Sequence, residues 1–293
     1  MSDRSGGARP FPSSVNGRLV GPGEPAVPAA DRGFLLGVAV FETIRVEEGV
    51  ALFFEDHLAR MEDGSKALGL PTPALAPGDA MERFLAATGI ERAVVRITRT
   101  AGPGGGEPGA VVVTARPLPE PPSADVLLDV AEHRKVPEDP LESVKSVSRV
   151  RSAVARQAAE ARGAFDALVR TTEGDFVEGT VSNLFAVVDG RVLTPPLSRG
   201  ILAGVVRDLL LRNLPARVEE SRIEEGDLRR AAEVIVTNAI GGPVAARALL
   251  GIREGFAGEA GEIARAARAV YRGAADDYLR RHRAARSPDR PRT

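Results

Sequence analysis

Pro117 to Pro122 (PLPEPP) is the stretch that most restricts what this chain can fold into. Proline locks φ and removes a backbone donor, so such a run fits neither a helix interior nor a central strand. It reads as a linker over 117–124 between a small block at 15–116 and a larger one at 125–279. In the first block the apolar run from Gly37 to Val46 predicts a strand and Glu48-Gly49 a turn. An amphipathic helix over 55–68 then stops at Gly69. A second helix over 77–87 leads to strands over 93–98 and 110–114, which flank the glycine-rich loop Gly102 to Gly109.

The second block opens with a strand near 126–131. A helix over 148–162 follows, with Val150, Val154, Ala158 and Ala161 at helical spacing as its apolar stripe. Strands over 167–171, 176–185 and 186–193 come next, with Asp189-Gly190 marking a tight hairpin. A helix over 203–213, a strand over 233–237 and a final helix around 259–280 complete the block. Strands and helices that do not alternate regularly indicate an α+β fold instead of a doubly wound parallel sheet. At the ends, 1–14 reads as a disordered lead-in and Arg280 to Thr293, with six arginines, as a basic tail.

Composition removes several chemistries. With no cysteine, thiol nucleophiles, disulfides and thiolate metal sites are excluded. His57, His133 and His282 lack any short-range ligand spacing, so no metal site is expected. A formal net charge of −1 argues against nucleic acid or a membrane surface as partner for the body of the protein, and the arginine tail is expected to be solvated. No stretch approaches the roughly 20 apolar residues of a membrane span, and the first residues lack the apolar core of a secretory signal. The expected compartment is the cytoplasm. The glycine-rich loop lacks the Gly-Lys-Ser/Thr ending of a nucleotide loop and reads as a hairpin connection or a substrate lid.

Among 39 basic residues only Lys66, Lys135 and Lys145 are lysines. Arginine can take over most charge roles of lysine, but it cannot form an imine with an aldehyde. Each lysine is therefore a separate question. Lys66 falls on a predicted helix and Lys135 in a charged loop, and both read as ordinary charges.

Lys145 opens a different pattern. Lys145-Ser-Val-Ser-Arg149, Phe176-Val-Glu178-Gly-Thr-Val-Ser-Asn183-Leu-Phe185, Thr194-Pro-Pro196 and Gly200-Ile-Leu-Ala-Gly204-Val-Val-Arg207 follow one another. Upstream stand Asp31-Arg-Gly33-Phe, Val40-Phe-Glu-Thr-Ile-Arg-Val46 and His57-Leu-Ala-Arg60, and downstream Thr237-Asn238. In these motifs the chain resembles the class IV aminotransferases, the pyridoxal-phosphate enzymes of fold type IV. They include branched-chain and D-amino-acid transaminases and 4-amino-4-deoxychorismate lyase. The resemblance covers nearly the whole chain outside its ends. It implies a two-domain fold like that of D-amino-acid aminotransferase, with the active site between the domains, and a homodimer.

Pyridoxal phosphate combines an aldehyde, a pyridine ring and a dianionic phosphate, so its site needs an amine, an acid and an anion cradle. The resemblance makes Lys145 the Schiff-base lysine and proton carrier and Glu178 the partner of the ring nitrogen. Arg60 and the backbone N–H groups of Val205 and Val206 become the phosphate cradle, with Thr237 and Asn238 as further donors. Leu202 becomes the residue packed on the ring. Many relatives carry threonine where Val206 stands. Arg96, matching a mid-strand arginine of branched-chain enzymes, is the candidate for a substrate carboxylate, with Phe41 as a second substrate-side residue.

The arginine–histidine pair of D-amino-acid transaminases is missing from Ala101 to Glu107, and the tyrosine common in branched-chain enzymes is replaced by Val150. Lys145…Arg149 and Thr237-Asn238-Ala239 look closer to the lyases. The expected activity is thus pyruvate elimination from 4-amino-4-deoxychorismate to give 4-aminobenzoate. Amino transfer from a branched-chain or other amino acid is the alternative, and a cofactor-binding protein without turnover the non-enzymatic one.

Overall fold

In the computed structural model the described residues are 12–286, except 22, 25, 123 and 124. The first part comprises β1 (Ser13–Val15), β2 (Arg18–Val20), α1 (Arg32–Leu36), β3 (Ala39–Glu47) and β4 (Val50–Ala51), then α2 (Phe54–Ala67), α3 (Pro77–Thr88), β5 (Ala93–Thr100) and β6 (Val111–Arg116). The strands form one sheet, ordered β2-β1-β6-β5-β3-β4, with antiparallel neighbours throughout. Alternation along β3 and β5 sends Val40, Ile44, Val95 and Ile97 to one face, where Met61 of α2 and Met81 and Phe84 of α3 cover them. The lead-in ends sooner than expected. Ser13 and Ser14 belong to β1, and Ser14 is fully buried. Residues 1–11 lie outside the described ones.

The second part comprises β7 (Val126–Lys135), α4 (Val150–Ala161), β8 (Asp166–Thr171), β9 (Phe176–Gly179), β10 (Asn183–Val188) and β11 (Arg191–Thr194). It continues with α5 (Val205–Asn213), β12 (Val218–Glu220), α6 (Glu225–Arg230), β13 (Glu233–Asn238), β14 (Gly242–Leu249), β15 (Arg253–Glu254) and α7 (Glu262–Arg286). Its strands follow the order β12-β11-β10-β13-β14-β7-β8-β9, with β15 beside β14. Because β9 also pairs with β10, through Glu178 and Asn183, six of these strands close into a ring. Leu128, Leu168, Phe176, Leu184, Val236 and Val244 gather in one cluster. The intervening Phe185, Val187 and Ile235 pack on the other face with residues of α5 and α7.

Three expectations change. The strand over 176–185 is two strands, because the buried Asp166 carboxylate captures the segment between them. It accepts from the Thr180 N–H at 3.0 Å and from the hydroxyls of Thr180 and Ser182 at 2.5 and 2.6 Å. The stripe on α4 faces outward: Val150 is 73% exposed and Val154 61%, whereas Ala155 and Ala159 turn toward Ala131, Ala167 and Val169. Small side chains let the helix approach the strands closely, a preference that periodicity of large apolar residues does not register. Finally, α7 runs through Arg286, past the point where the tail was expected to begin. Tyr278 is buried against Phe53, and His282 stacks on it at 3.9 Å between ring centroids. Residues 287–293 lie outside the described ones. Among the described residues no helix is long and apolar enough to cross a membrane.

Candidate active site

Lys145 lies where the two parts of the chain meet. Its carbonyl accepts from the Phe41 N–H at 2.9 Å, and Ser146 bridges to Val40, so the segment is tied to β3. The half-buried side chain brings Nζ to 4.9 Å from the centre of the Phe41 ring. Burial, then the charge of Arg60, then that of Arg149 push the amine down to about 7, against the opposite pulls of Glu42 and Glu178. A large fraction is therefore neutral near pH 7, the form that attacks an aldehyde.

Glu178, on β9, is buried and holds three donors. Lys135 Nζ reaches Oε1 at 2.5 Å, while the Leu202 N–H and Asn183 Nδ2 reach Oε2 at 3.0 and 3.3 Å. Asn183 also donates to the Leu202 carbonyl at 2.9 Å, so the backbone of Leu202 is gripped from both sides. Gly204 completes this packing: a Cβ there would lie 1.8 Å from Asn183 Oδ1, which only glycine avoids.

The loop then enters α5, whose first turn has no side-chain cap. The N–H groups of Val205 and Val206 are thus available to an anion, reinforced by the helix dipole. Arg60 stands at the same loop, donating from Nη1 to the Ala203 carbonyl at 2.8 Å. Its Nε and Nη2 grip Glu42 at 2.8 and 2.6 Å. Burial alone would raise the Glu42 carboxyl, but the charge and hydrogen bonds of Arg60, with a hydrogen bond from His57, bring it down to about 2. A guanidinium has five N–H donors, so Arg60 keeps donor capacity for a phosphate beyond its contacts to Glu42, Ala203 and His57 among the described residues.

Thr237, opposite Asn183 in the β10–β13 register, has a buried hydroxyl with no partner among the described residues. An orphaned donor beside an uncapped helix start, an arginine and a depressed lysine fits pyridoxal phosphate. Asn238 Oδ1 accepts from the N–H groups of Ile240 and Gly241, a turn-forming contact that leaves its own N–H groups as the expected donors. Thr237→Val is expected to stabilise the cofactor-free protein by about 1 kcal/mol and to weaken cofactor binding about tenfold. Thermal melts and a cofactor titration would check the opposite signs.

On the substrate side, the Arg96 guanidinium lies 3.6 Å over the Phe41 ring. Arg149 donates to the Thr180 carbonyl at 2.9 Å. Neither arginine has an acidic partner among the described residues, and burial followed by the charge of Arg149 lowers the pKa of Arg96 from its ordinary value. Glu178, Lys135 and Arg149 all border a cavity of about 440 Å³, with Leu36, Leu141 and Val150 at its walls. Glu42, His57, Lys135 and Asn183 escaped the sequence-based assignment of site residues. Scarcity of lysine could have marked Lys135, whereas Lys66 is an exposed charge on α2 as expected. Among the described residues no cluster of three or more His, Cys, Asp or Glu could hold a metal ion.

The pattern of the amino-transferase class IV family matches residues 39–249. The chain belongs to the class IV aminotransferase family. A putative branched-chain-amino-acid aminotransferase of Methanocaldococcus jannaschii is 30% identical over 237 residues, 76% of this chain and 82% of the relative. A bifunctional aminodeoxychorismate lyase / D-amino acid transaminase of Mycobacterium tuberculosis is 31% identical over 220 residues, 67% of this chain and 75% of the relative. Among solved structures, the branched-chain aminotransferase of Thermoproteus uzoniensis with norvaline superposes with a TM-score of 0.81 at 24% identity, covering 92% of this chain and 97% of that one. This class IV aminotransferase therefore has the fold type IV architecture and is a pyridoxal-phosphate-dependent enzyme.

Proposed function

We propose that this class IV aminotransferase acts on an amino substrate bearing two carboxylates and releases pyruvate from 4-amino-4-deoxychorismate. The observation that carries the reading is the pair Arg96 and Arg149, two site arginines without acidic partners among the described residues. Uncompensated guanidinium groups match two carboxylates better than the single one of an ordinary aliphatic amino acid. Pyridoxal phosphate, when bound, supplies the aldehyde and an electron-withdrawing ring. Arg60, the start of α5 and Thr237 would hold its phosphate, Glu178 its ring nitrogen and Leu202 its face. The neutral amine of Lys145 takes up and returns a proton at the substrate carbon.

A second reading, amino-acid transamination, is supported by the relative named as a branched-chain aminotransferase. The deciding assay follows pyruvate from aminodeoxychorismate, set against amino transfer from leucine, glutamate or D-alanine to a 2-oxo acid. Pyruvate release without an added acceptor supports the lyase; amino transfer without it replaces that reading by the second. Arg149→Met is expected to lower kcat/KM on the dicarboxylate roughly 100-fold with an unchanged cofactor spectrum.

The enzyme is also proposed to work as a homodimer. Phe34, Leu35 and Leu36 of α1 and Leu141, Val150 and Val154 are all more than half exposed, and Leu36, Leu141 and Val150 border one cavity. Apolar surface of this kind fits a second copy of the same chain. Val150→Glu combined with Val154→Glu should leave the melting of the isolated chain nearly unchanged and halve the mass seen by light scattering. A mass unaltered by the double change would count against this surface.

A further inference from the structure

Lys135 is the last residue of β7 and is 6% exposed. Its ammonium donates to Glu178 Oε1 at 2.5 Å and to the Glu142 carbonyl at 2.9 Å, with the Glu142 carboxylate at 3.6 Å. Buried lysines need a reason, because burial of an ammonium is costly without a close counter-charge. Here the counter-charge is the same carboxylate assigned to the ring nitrogen. A carboxylate oxygen accepts about two hydrogen bonds, so Oε1 has room for Lys135 and one more donor. Oε2 is occupied by Leu202 and Asn183, which directs the remaining capacity to the Lys135 side.

We propose that Lys135 is a positioning residue that shares the charge of Glu178 and thereby sets how firmly this carboxylate keeps the cofactor's ring nitrogen protonated. An unshared carboxylate offers the pyridinium its full negative charge. With Lys135 bound to the same carboxylate, part of that field would be cancelled, and the ring would be a milder electron sink. The acidity of the ring then depends on a residue that does not touch it. The proposal rests on Glu178 facing the ring nitrogen.

The test uses full-length protein loaded with pyridoxal phosphate isotopically labelled at the ring nitrogen, whose protonation is followed by NMR from about pH 6 to about pH 9. Other ionisable groups around the pair are His133, Asp139, Glu142, Lys145 and Arg149, and they stay constant across the variants compared. Lys135→Met and Lys135→Gln should each move the nitrogen's titration midpoint upward by about one pH unit or more, and Lys135→Arg should restore the wild-type midpoint. Identical midpoints in wild type, Lys135→Gln and Lys135→Arg would overturn the proposal, since a purely structural contact is broken without moving a charge-dependent midpoint. Should neither neutral variant fold, the wild-type titration decides: a nitrogen that loses its proton within the range supports the shared charge, and one that keeps it throughout overturns it. Failure of the wild type to capture the cofactor is a different outcome, and it would remove the assignment of Glu178 itself.

Discussion

Lys145→Ala is expected to abolish the visible absorbance that pyridoxal phosphate gives with this protein and to lower turnover by at least about 10⁴-fold. Lys145→Arg should be equally inactive, because a guanidinium keeps the charge but offers no nucleophilic amine. The wild-type protein carries a further signature. Its amine is held at about 7, against 10.5 for an ordinary lysine, by burial first and by Arg60 next. Only the neutral amine adds to an aldehyde, so the rate of cofactor capture by the cofactor-free enzyme should rise with a midpoint near pH 7 and then level off. A capture rate still climbing tenfold per unit at pH 9 would mean that the field around Lys145 is not the one described, and a variant that keeps the absorbance would mean that another amine is used.

Glu42→Gln should produce the largest loss of stability among the site variants, about 3 kcal/mol at neutral pH. The folded carboxyl is held at about 2, below its ordinary 4.5. A carboxyl depressed on folding contributes stability that is fully present above pH 4.5 and is lost as the pH falls toward 2. A shift of that size corresponds to about 3 kcal/mol. The glutamine variant lacks this contribution at every pH and leaves the Arg60 guanidinium, only 13% exposed, without its anion. Urea midpoints measured from acid to neutral pH should therefore converge for the two proteins near pH 2, separate between about pH 2 and 4.5, and keep a constant gap above pH 4.5. A gap that stays constant down to pH 2 would show that Glu42 is not the titrating partner. The same change should weaken cofactor binding, because Arg60 loses the contact that aims it at the start of α5.

The candidate site is legible in the chain where its chemistry is discontinuous: arginine cannot take the imine-forming role proposed for Lys145, and a Cβ at Gly204 would collide with Asn183. What escaped is instructive in physical terms. The segment His133-Arg134-Lys135 reads as a polar loop, yet β7 continues through it, with a register shift between Val130 and Arg134 where it pairs with β8. Polar residues prolong a strand when their partners are buried charges, and hydropathy alone does not reveal those partners. The break between β9 and β10 depends on Asp166, more than ten residues earlier in the chain, so no local signal announces it. The helical spacing of Val150 and Val154 predicts α4, but it picks the exposed face, because spacing is silent on what lies against a helix. β14 has no strand signature in the sequence because it begins with Gly242-Pro243 and is rich in alanine, which lowers every intrinsic strand signal while the pairing with β13 holds it in place.

The ring of strands in the second sheet gives this arrangement a thermodynamic side. Among the described residues β9 and β10 meet through Glu178 and Asn183, and these two also grip Leu202. If Glu178 faces the cofactor as proposed, the clasp of the ring is part of the binding site. By linkage, a ligand that binds only the clasped form stabilises it by RT ln(1 + L/Kd), which grows with the free ligand concentration L. On that reading cofactor loading should slow hydrogen exchange of the amides along β9 and β10, and exchange equal with and without cofactor would separate loading from the clasp.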